Sequence, residues 1–236
     1  MPTVFLPEIE ACVFDAYGTL FDVQSAARRA EGRLGDLWRP IAETWRAKQL
    51  QYTWLRSLGG RHADFWQVTG DALDFALSSS GVHDTTLRDE LMTLYLSLDL
   101  YGDVKSTLLN LRAHGLKLAV LSNGSPRMLT TAGEHAGISG ILDAVLSVEA
   151  VGVYKPHPSV YRLAVDTFAL PPERMCFVSS NGWDAFSAKA FGYRVLWCNR
   201  SGQPAEHIPD RPDAEAATLA VLPALLGLEG EPTARG

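Results

Sequence analysis

From Gly102 onward the chain alternates between two patterns. Helix-period segments are separated by short apolar runs rich in β-formers, and most runs end in small polar residues. The spacing predicts strands over 116–121, 144–148, 175–179 and 194–198. It predicts helices over 104–113, 127–135, 158–168, 184–191 and 219–226, with Gly115 as a left-handed stop and Ser125-Pro126 as a helix start. Asp213 begins a short strand or a turn. One more strand, 10–15, lies far upstream. Strands and helices in this order imply an α/β fold with a doubly wound parallel sheet.

Between the first strand and the rest, residues 25–95 have no strand-like stretch. Ile41, Trp45, Leu50 and Trp54 recur at helical spacing, and Leu73, Phe75 and Leu77 mark a second helical stretch. Gly59-Gly60 and Ser78-Ser79-Ser80-Gly81 break these helices. The expected organisation is a Rossmann-like core of residues 1–22 and 102–236 with a helical cap, 23–101, inserted into it. Residues 1–7 read as a loose leader and 229–236 as a frayed tail.

The polar residues at the strand ends are the functional signal. The first strand ends in Asp15, with Gly18 and Thr19 breaking it into a turn. The second ends in Ser122 and Asn123. Lys155 lies in the loop after the third. The fourth ends in Ser179, Ser180 and Asn181, with Asp184 just beyond. Singly, each set reads equally well as a cap or turn. Together they sit where open α/β sheets build their sites. Ser122 and Asn123 precede a helix, a place suited to an anion such as a carboxylate. Lys155 beside Asp15 would keep that carboxylate ionised. Asp184, Asn181 and Ser179 are placed to position and activate a water, and Thr19 and Ser180 to hold Asp15 and its loop.

Composition excludes several classes. Lys plus Arg total 21 against 27 Asp plus Glu, so a net charge of -6 argues against nucleic acid as a partner. No apolar run is long enough for a bilayer and no secretory signal is visible, so no membrane partner and a cytoplasmic location are expected. Cys12, Cys176 and Cys198 are odd in number and far apart. They read as buried thiols rather than a disulfide or zinc framework.

Asp15-Ala16-Tyr17-Gly18-Thr19-Leu20 resembles the first motif of the haloacid dehalogenase superfamily, whose Asp is a covalent nucleophile. The superfamily's phosphatases carry a second acid two residues later. Here that position is Tyr17, a phenol and a poor acid at neutral pH. The set is similar to the L-2-haloacid dehalogenase branch, together with Trp45-Arg46-Ala47-Lys48-Gln49-Leu50, Lys155-Pro156, and Ser179-Ser180-Asn181-Gly182-Trp183-Asp184. The resemblance implies a four-helix cap, a small haloacid substrate, no metal and no cofactor. It implies that Arg46 receives the halide, and that Tyr17, Tyr161, Trp183, Leu50 and Phe65 line the substrate pocket. Core packing explains Leu50, Phe65 and the aromatic residues nearly as well. Family members often form dimers, so a homodimer is also an expectation. The alternatives are a phosphatase or phosphonate hydrolase of the same fold, and a catalytically idle interaction module.

Overall fold

Six strands form one parallel sheet in the order β3-β2-β1-β4-β5-β6. They are β1 (Ala11–Phe14), β2 (Lys117–Ser122), β3 (Ala144–Ser147), β4 (Met175–Ser179), β5 (Arg194–Cys198) and β6 (Ala214–Ala216). This computed structural model describes residues 6–228. Most of the expected leader, 1–5, and the expected tail, 229–236, lie outside the described residues.

β1 and β4 are buried along their whole length. Both are continuous apolar runs, as strands covered on two faces must be. The chain runs outward from β1 through β2 to β3, then returns to β4 on the other side of β1. The strand order therefore reverses between β1 and β4, and such a switch point opens a crevice at the carboxyl ends of the strands. Phe14 pairs in register with both Val120 and Val178, so the residues just past these strands share one edge.

Residues 25–95 fold as helices only: α1 (Ser25–Arg29), α2 (Glu31–Leu34), α3 (Trp38–Leu58), α4 (Phe65–Ser79) and α5 (Thr85–Tyr95). The cap thus has three long helices and two short ones, rather than four alike. α3 buries Ile41, Ala42, Trp45, Gln49 and Thr53 along one stripe, the spacing of a single helix face. Asp64 caps α4 by accepting from the Gln67 N–H, and Asp84 caps α5 by accepting from Thr86 and Leu87. Phe75, placed on the apolar pattern by sequence, is 41% exposed; it is two residues from both Leu73 and Leu77 and so falls off their face.

The cap joins the sheet through two chain segments that pair with each other. The Asp22 N–H donates to the Asp99 carbonyl and the Tyr101 N–H to the Leu20 carbonyl. The remaining helices are α6 (Val104–Ala113), α7 (Pro126–His135), α8 (Pro158–Phe168), α9 (Gly182–Phe191) and α10 (Leu222–Leu225). Residues 219–221, expected in the last helix, form a single 3-10 turn before α10. The three cysteines are free and buried. Among the described residues no helix is long and apolar enough to cross a membrane.

Candidate active site

Asp15 follows β1 directly and is 6% exposed. Gly18, at φ 93°, makes the turn that L side chains resist. The turn brings the Thr19 hydroxyl back to donate to Asp15 Oδ2 at 2.9 Å. Thr19 Oγ1 in turn accepts from the Ser180 N–H at 2.8 Å. Asn181 Nδ2 donates to the same Asp15 Oδ2 at 2.8 Å and to the Tyr17 carbonyl at 3.1 Å. The other oxygen, Oδ1, accepts from Lys155 Nζ at 3.0 Å and from no other group among the described residues.

Lys155 is 1% exposed. Its ammonium lies between two acids, with Asp184 Oδ2 at 2.9 Å. The second Asp184 oxygen accepts from the Tyr161 hydroxyl at 2.7 Å. Burial pulls the lysine pKa down, and the two carboxylates outweigh it, so Lys155 titrates above its ordinary value. Burial pushes Asp184 up, with Lys155 opposing and Asp15 adding to the rise.

Ser122 and Asn123 end β2, both buried. Ser122 Oγ accepts from the Gly124 N–H at 3.0 Å. Asn123 Oδ1 accepts from the Lys155 N–H at 3.1 Å, which leaves its amino group as the free donor. α7 begins at Pro126, and Ser125 stands at its cap position without a side-chain cap bond.

The cap closes over this edge. Asp15, Tyr17, Arg46, Leu50, Phe65, Ser122, Asn123, Asn181 and Trp183 line one cavity. Its volume is about 10 Å³, roughly what one water needs. Arg46 Nη2 donates across the cap–core boundary to the Tyr17 carbonyl and to Asn181 Oδ1, both at 3.1 Å. Tyr17 is packed between Phe65 and Tyr95, with ring centroids at 5.5 and 5.6 Å. Its hydroxyl is buried without a partner, and burial holds its pKa well above the ordinary phenol value. A proton so firmly held does not leave at neutral pH, so Tyr17 does not replace a second acid. A separate, larger cavity of about 450 Å³ shares Trp183 with this one and has a mainly apolar wall, including Trp54, Leu58, Val153 and Ile208.

Nine of the sequence-predicted residues line the catalytic cavity; six stand behind it. Tyr161, expected to touch substrate, and Ser180, expected both to touch it and to hold Asp15 and its loop, do not line it. Tyr161 bonds Asp184, and Ser180 gives its backbone N–H to Thr19 while its hydroxyl is buried unpaired. Ser179 and Asp184, expected at the water, are fully buried. The Ser179 hydroxyl accepts from the Asn181 N–H at 3.2 Å and so shapes that turn. The lysine head occupies the place next to Asp15, and this puts Asp184 and Tyr161 one layer further back. Thr19 and Lys155 likewise reach the cavity through Asp15.

Three residues escape a reading of the sequence. Gly124 is one: a Cβ there would lie 2.7 Å from the Tyr17 ring. Arg200 is another, donating to the Thr19 carbonyl and clasping Asp103 with two bonds. Gln49 is the third, buried beside Arg46. Its trace in the sequence is an amide on the apolar stripe of α3. Among the described residues no three His, Cys, Asp or Glu side chains converge as a metal-binding group.

A doubly wound sheet with a carboxylate, a lysine and a turn of this form at its switch point defines a class of hydrolase. The sequence model of the haloacid dehalogenase-like hydrolases matches residues 9–192, and the chain belongs to that family. It is 42% identical over 219 residues to (S)-2-haloacid dehalogenase 1 of Pseudomonas sp. (strain CBS-3), covering 92% of this chain and 96% of that one. It is 37% identical over 224 residues to haloacetate dehalogenase H-2 of Moraxella sp. (strain B), covering 94% and 99%. The structure of L-2-haloacid dehalogenase from Xanthobacter autotrophicus with chloropropionic acid covalently bound superposes with a TM-score of 0.85, at 38% identity, covering 94% of this chain and all of that one.

Proposed function

We propose that this hydrolase converts short L-2-haloalkanoic acids to D-2-hydroxy acids through an ester on Asp15. One observation carries the reading: a carboxylate braced by Lys155 faces a cavity whose other wall holds Arg46. Asp15 Oδ1 accepts one bond among the described residues, from Lys155, against two at Oδ2, and so has the freer lone pair. It forms a bond to C2 as the carbon–halogen bond breaks, with inversion. The halide leaves with the bonding pair toward Arg46 and the Asn123 amino group. Negative charge moves from the lysine side to the arginine side, so fixed cations stand at both ends of the step. The substrate carboxylate is held at Ser122 and neighbouring amides. A water then attacks the Asp15 carbonyl carbon, and the hydroxy acid departs. Asn181 touches that water; the Lys155 ammonium gives one proton to Asp184 Oδ2 as it takes the water's in its place, and the departing alkoxide takes the proton left on the new Asp15 carboxyl. The raised pKa of Asp184 suits a proton acceptor. The covalent chloropropionate in the Xanthobacter relative supports an ester intermediate. The phosphatase reading needs a labile acid two residues after Asp15, and Tyr17 is not one.

The two-part organisation, core 1–22 and 102–236 and cap 23–101, belongs to the same reading. So does a homodimer, which would cover Leu58, 87% exposed at the end of α3. A monomer by sedimentation would refute that part alone. The decisive assay is chloride release from the two enantiomers of 2-chloropropionate, with and without a chelator. Release from the L form alone, unaffected by chelation, is expected. Release from neither enantiomer, with hydrolysis of a phosphate ester that stops on chelation, would replace this reading with the phosphatase.

A further inference from the structure

A single amide determines how Arg46 is presented. Gln49 is 1% exposed, in the apolar interior where α3, α4 and α5 meet. A buried amide is costly unless its donors and acceptor are all used. Thr69 Oγ1 donates its one proton to the Phe65 carbonyl at 2.6 Å. That hydroxyl can therefore only accept, and it accepts from Gln49 Nε2 at 2.8 Å. The Tyr95 hydroxyl accepts from the same nitrogen at 3.0 Å and donates to the amide oxygen at 3.2 Å, so Oε1 is shared between Tyr95 and Arg46. With its nitrogen so committed, the amide must turn its oxygen to Arg46, whose Nη1 donates to Oε1 at 2.8 Å. The reverse orientation would set two donors face to face.

The guanidinium is thus held from both sides. Nη1 is bound to the cap, and Nη2 reaches the core at the Tyr17 carbonyl and Asn181 Oδ1. Each of these acceptors is neutral. Among the described residues no carboxylate forms an ion pair with Arg46, so no direct partner competes with an anion for its donors.

We infer that Gln49 is a positioning residue for carbon–halogen cleavage. It aims Arg46 at the departing halide, and because it is uncharged it leaves the arginine's charge for that anion. This rests on the role proposed above for Arg46. Gln49→Met keeps the size and removes both functions of the amide. Gln49→Glu keeps the shape and the arginine contact but neutralises the cation.

Single-turnover halide release from L-2-chloropropionate and L-2-bromopropionate tests this, in the wild type, Arg46→Met, Gln49→Met, Gln49→Glu and the double Met variant. Loss of a preorganised contact to developing charge predicts about a tenfold to hundredfold fall in Gln49→Met. The fall is larger for chloride, the poorer leaving group. Gln49→Glu falls at least as far although its fold is kept. In the Arg46→Met background, Gln49→Met adds less than twofold, because the two act as one unit. Equal losses for the two halogens, or factors that multiply in the double variant, would reduce Gln49 to a packing residue and overturn the inference. If Arg46→Met itself shows no dependence on the halogen, the arginine assignment fails first, and Gln49 has nothing to aim. Should Gln49→Met fail to fold, Thr69→Val frees the amide to turn over. It gives the same halogen-dependent loss, or the inference fails.

Discussion

The core and the cap bring their charged groups to one cavity by different means. Asp15, Asn123 and Asn181 each lie one or two residues beyond β1, β2 or β4, so the ladder register of one buried sheet places them. Arg46 comes from the interior of α3, and side-chain hydrogen bonds to Gln49, Tyr17 and Asn181 place it. Backbone ladders are rigid and shared by many residues; a side-chain network can be undone by one. On the proposed mechanism, bond making falls to the half placed by the sheet, and leaving-group stabilisation to the half that joins it through two paired linkers.

The comparison breaks first, and hardest, at Asp15. Asp15→Asn is expected to lower turnover by about 10⁴-fold or more, the scale of deleting a nucleophile. Near wild-type halide release would mean that the core half does not make the bond. Single turnover in heavy-oxygen water should put label into Asp15 before the product, and label appearing first in the product would mean direct attack by water. Lys155→Met comes next, and it should cost both activity and stability. It leaves two carboxylates facing each other in a dry site, where one takes up a proton. Breaking such a buried pair typically costs about 3–5 kcal/mol, measurable by urea unfolding. A variant as stable as the wild type would show that the Lys155 contacts contribute little.

The pH profile sharpens the same comparison. Asp184 titrates above the ordinary carboxylate range because of its burial. The ester-hydrolysis step should therefore fail, on acidification, at a higher pH than an exposed acid would dictate. Cleavage of the halogen, which does not use Asp184 as a base, should persist, so a halide burst survives as steady turnover falls. Lys155 is raised as well. Its contribution to stability is complete below the unfolded lysine pKa and is lost only as pH rises through the higher folded value. Burst and steady state lost together, at ordinary carboxylate pH, would remove Asp184 from the second step.

The two halves were also unequally legible. Strands stood out because parallel strands are uninterrupted apolar runs, and the polar residues that end them are the site. Boundaries moved where a side chain did not act as its type suggests. α9 starts at Gly182, so Asp184 sits inside its first turn and not at its cap. The cap's helices were evident, but their number was not, since α1 and α2 are five and four residues long. The bonds that Gln49 and Arg200 make could not be read. Their partners Tyr95 and Thr19 lie 46 and 181 residues away in the chain, and only folding brings them together. The same holds for the layer behind Lys155. The sequence supplies Asp184 and Tyr161 near a site, but that both stand behind the cavity follows from where the lysine head comes to rest.

The smallest expected effect tests the junction itself. Arg200 follows β5, lies 4.1 Å over the Tyr101 ring and grips Asp103 where the cap chain re-enters the core. It also donates to the Thr19 carbonyl, on the turn that holds Asp15. Arg200→Met leaves Asp103 with the Thr218 hydroxyl and the Leu219 N–H as partners, and takes the arginine donors from the Thr19 carbonyl. The loss should be about 1–2 kcal/mol for a charge-assisted contact, or a fall of about 2–8 °C in Tm for a chain of this size. Its pH dependence has a definite sign. Burial opposes ionisation of Asp103, but Arg200 and its other partners prevail and hold its pKa low. The contribution is therefore present above the unfolded carboxylate range and lost as pH falls through the folded value. The Tm difference between wild type and Arg200→Met should be full at neutral pH and shrink in acid. A difference that is constant with pH would assign Arg200 to packing on Tyr101.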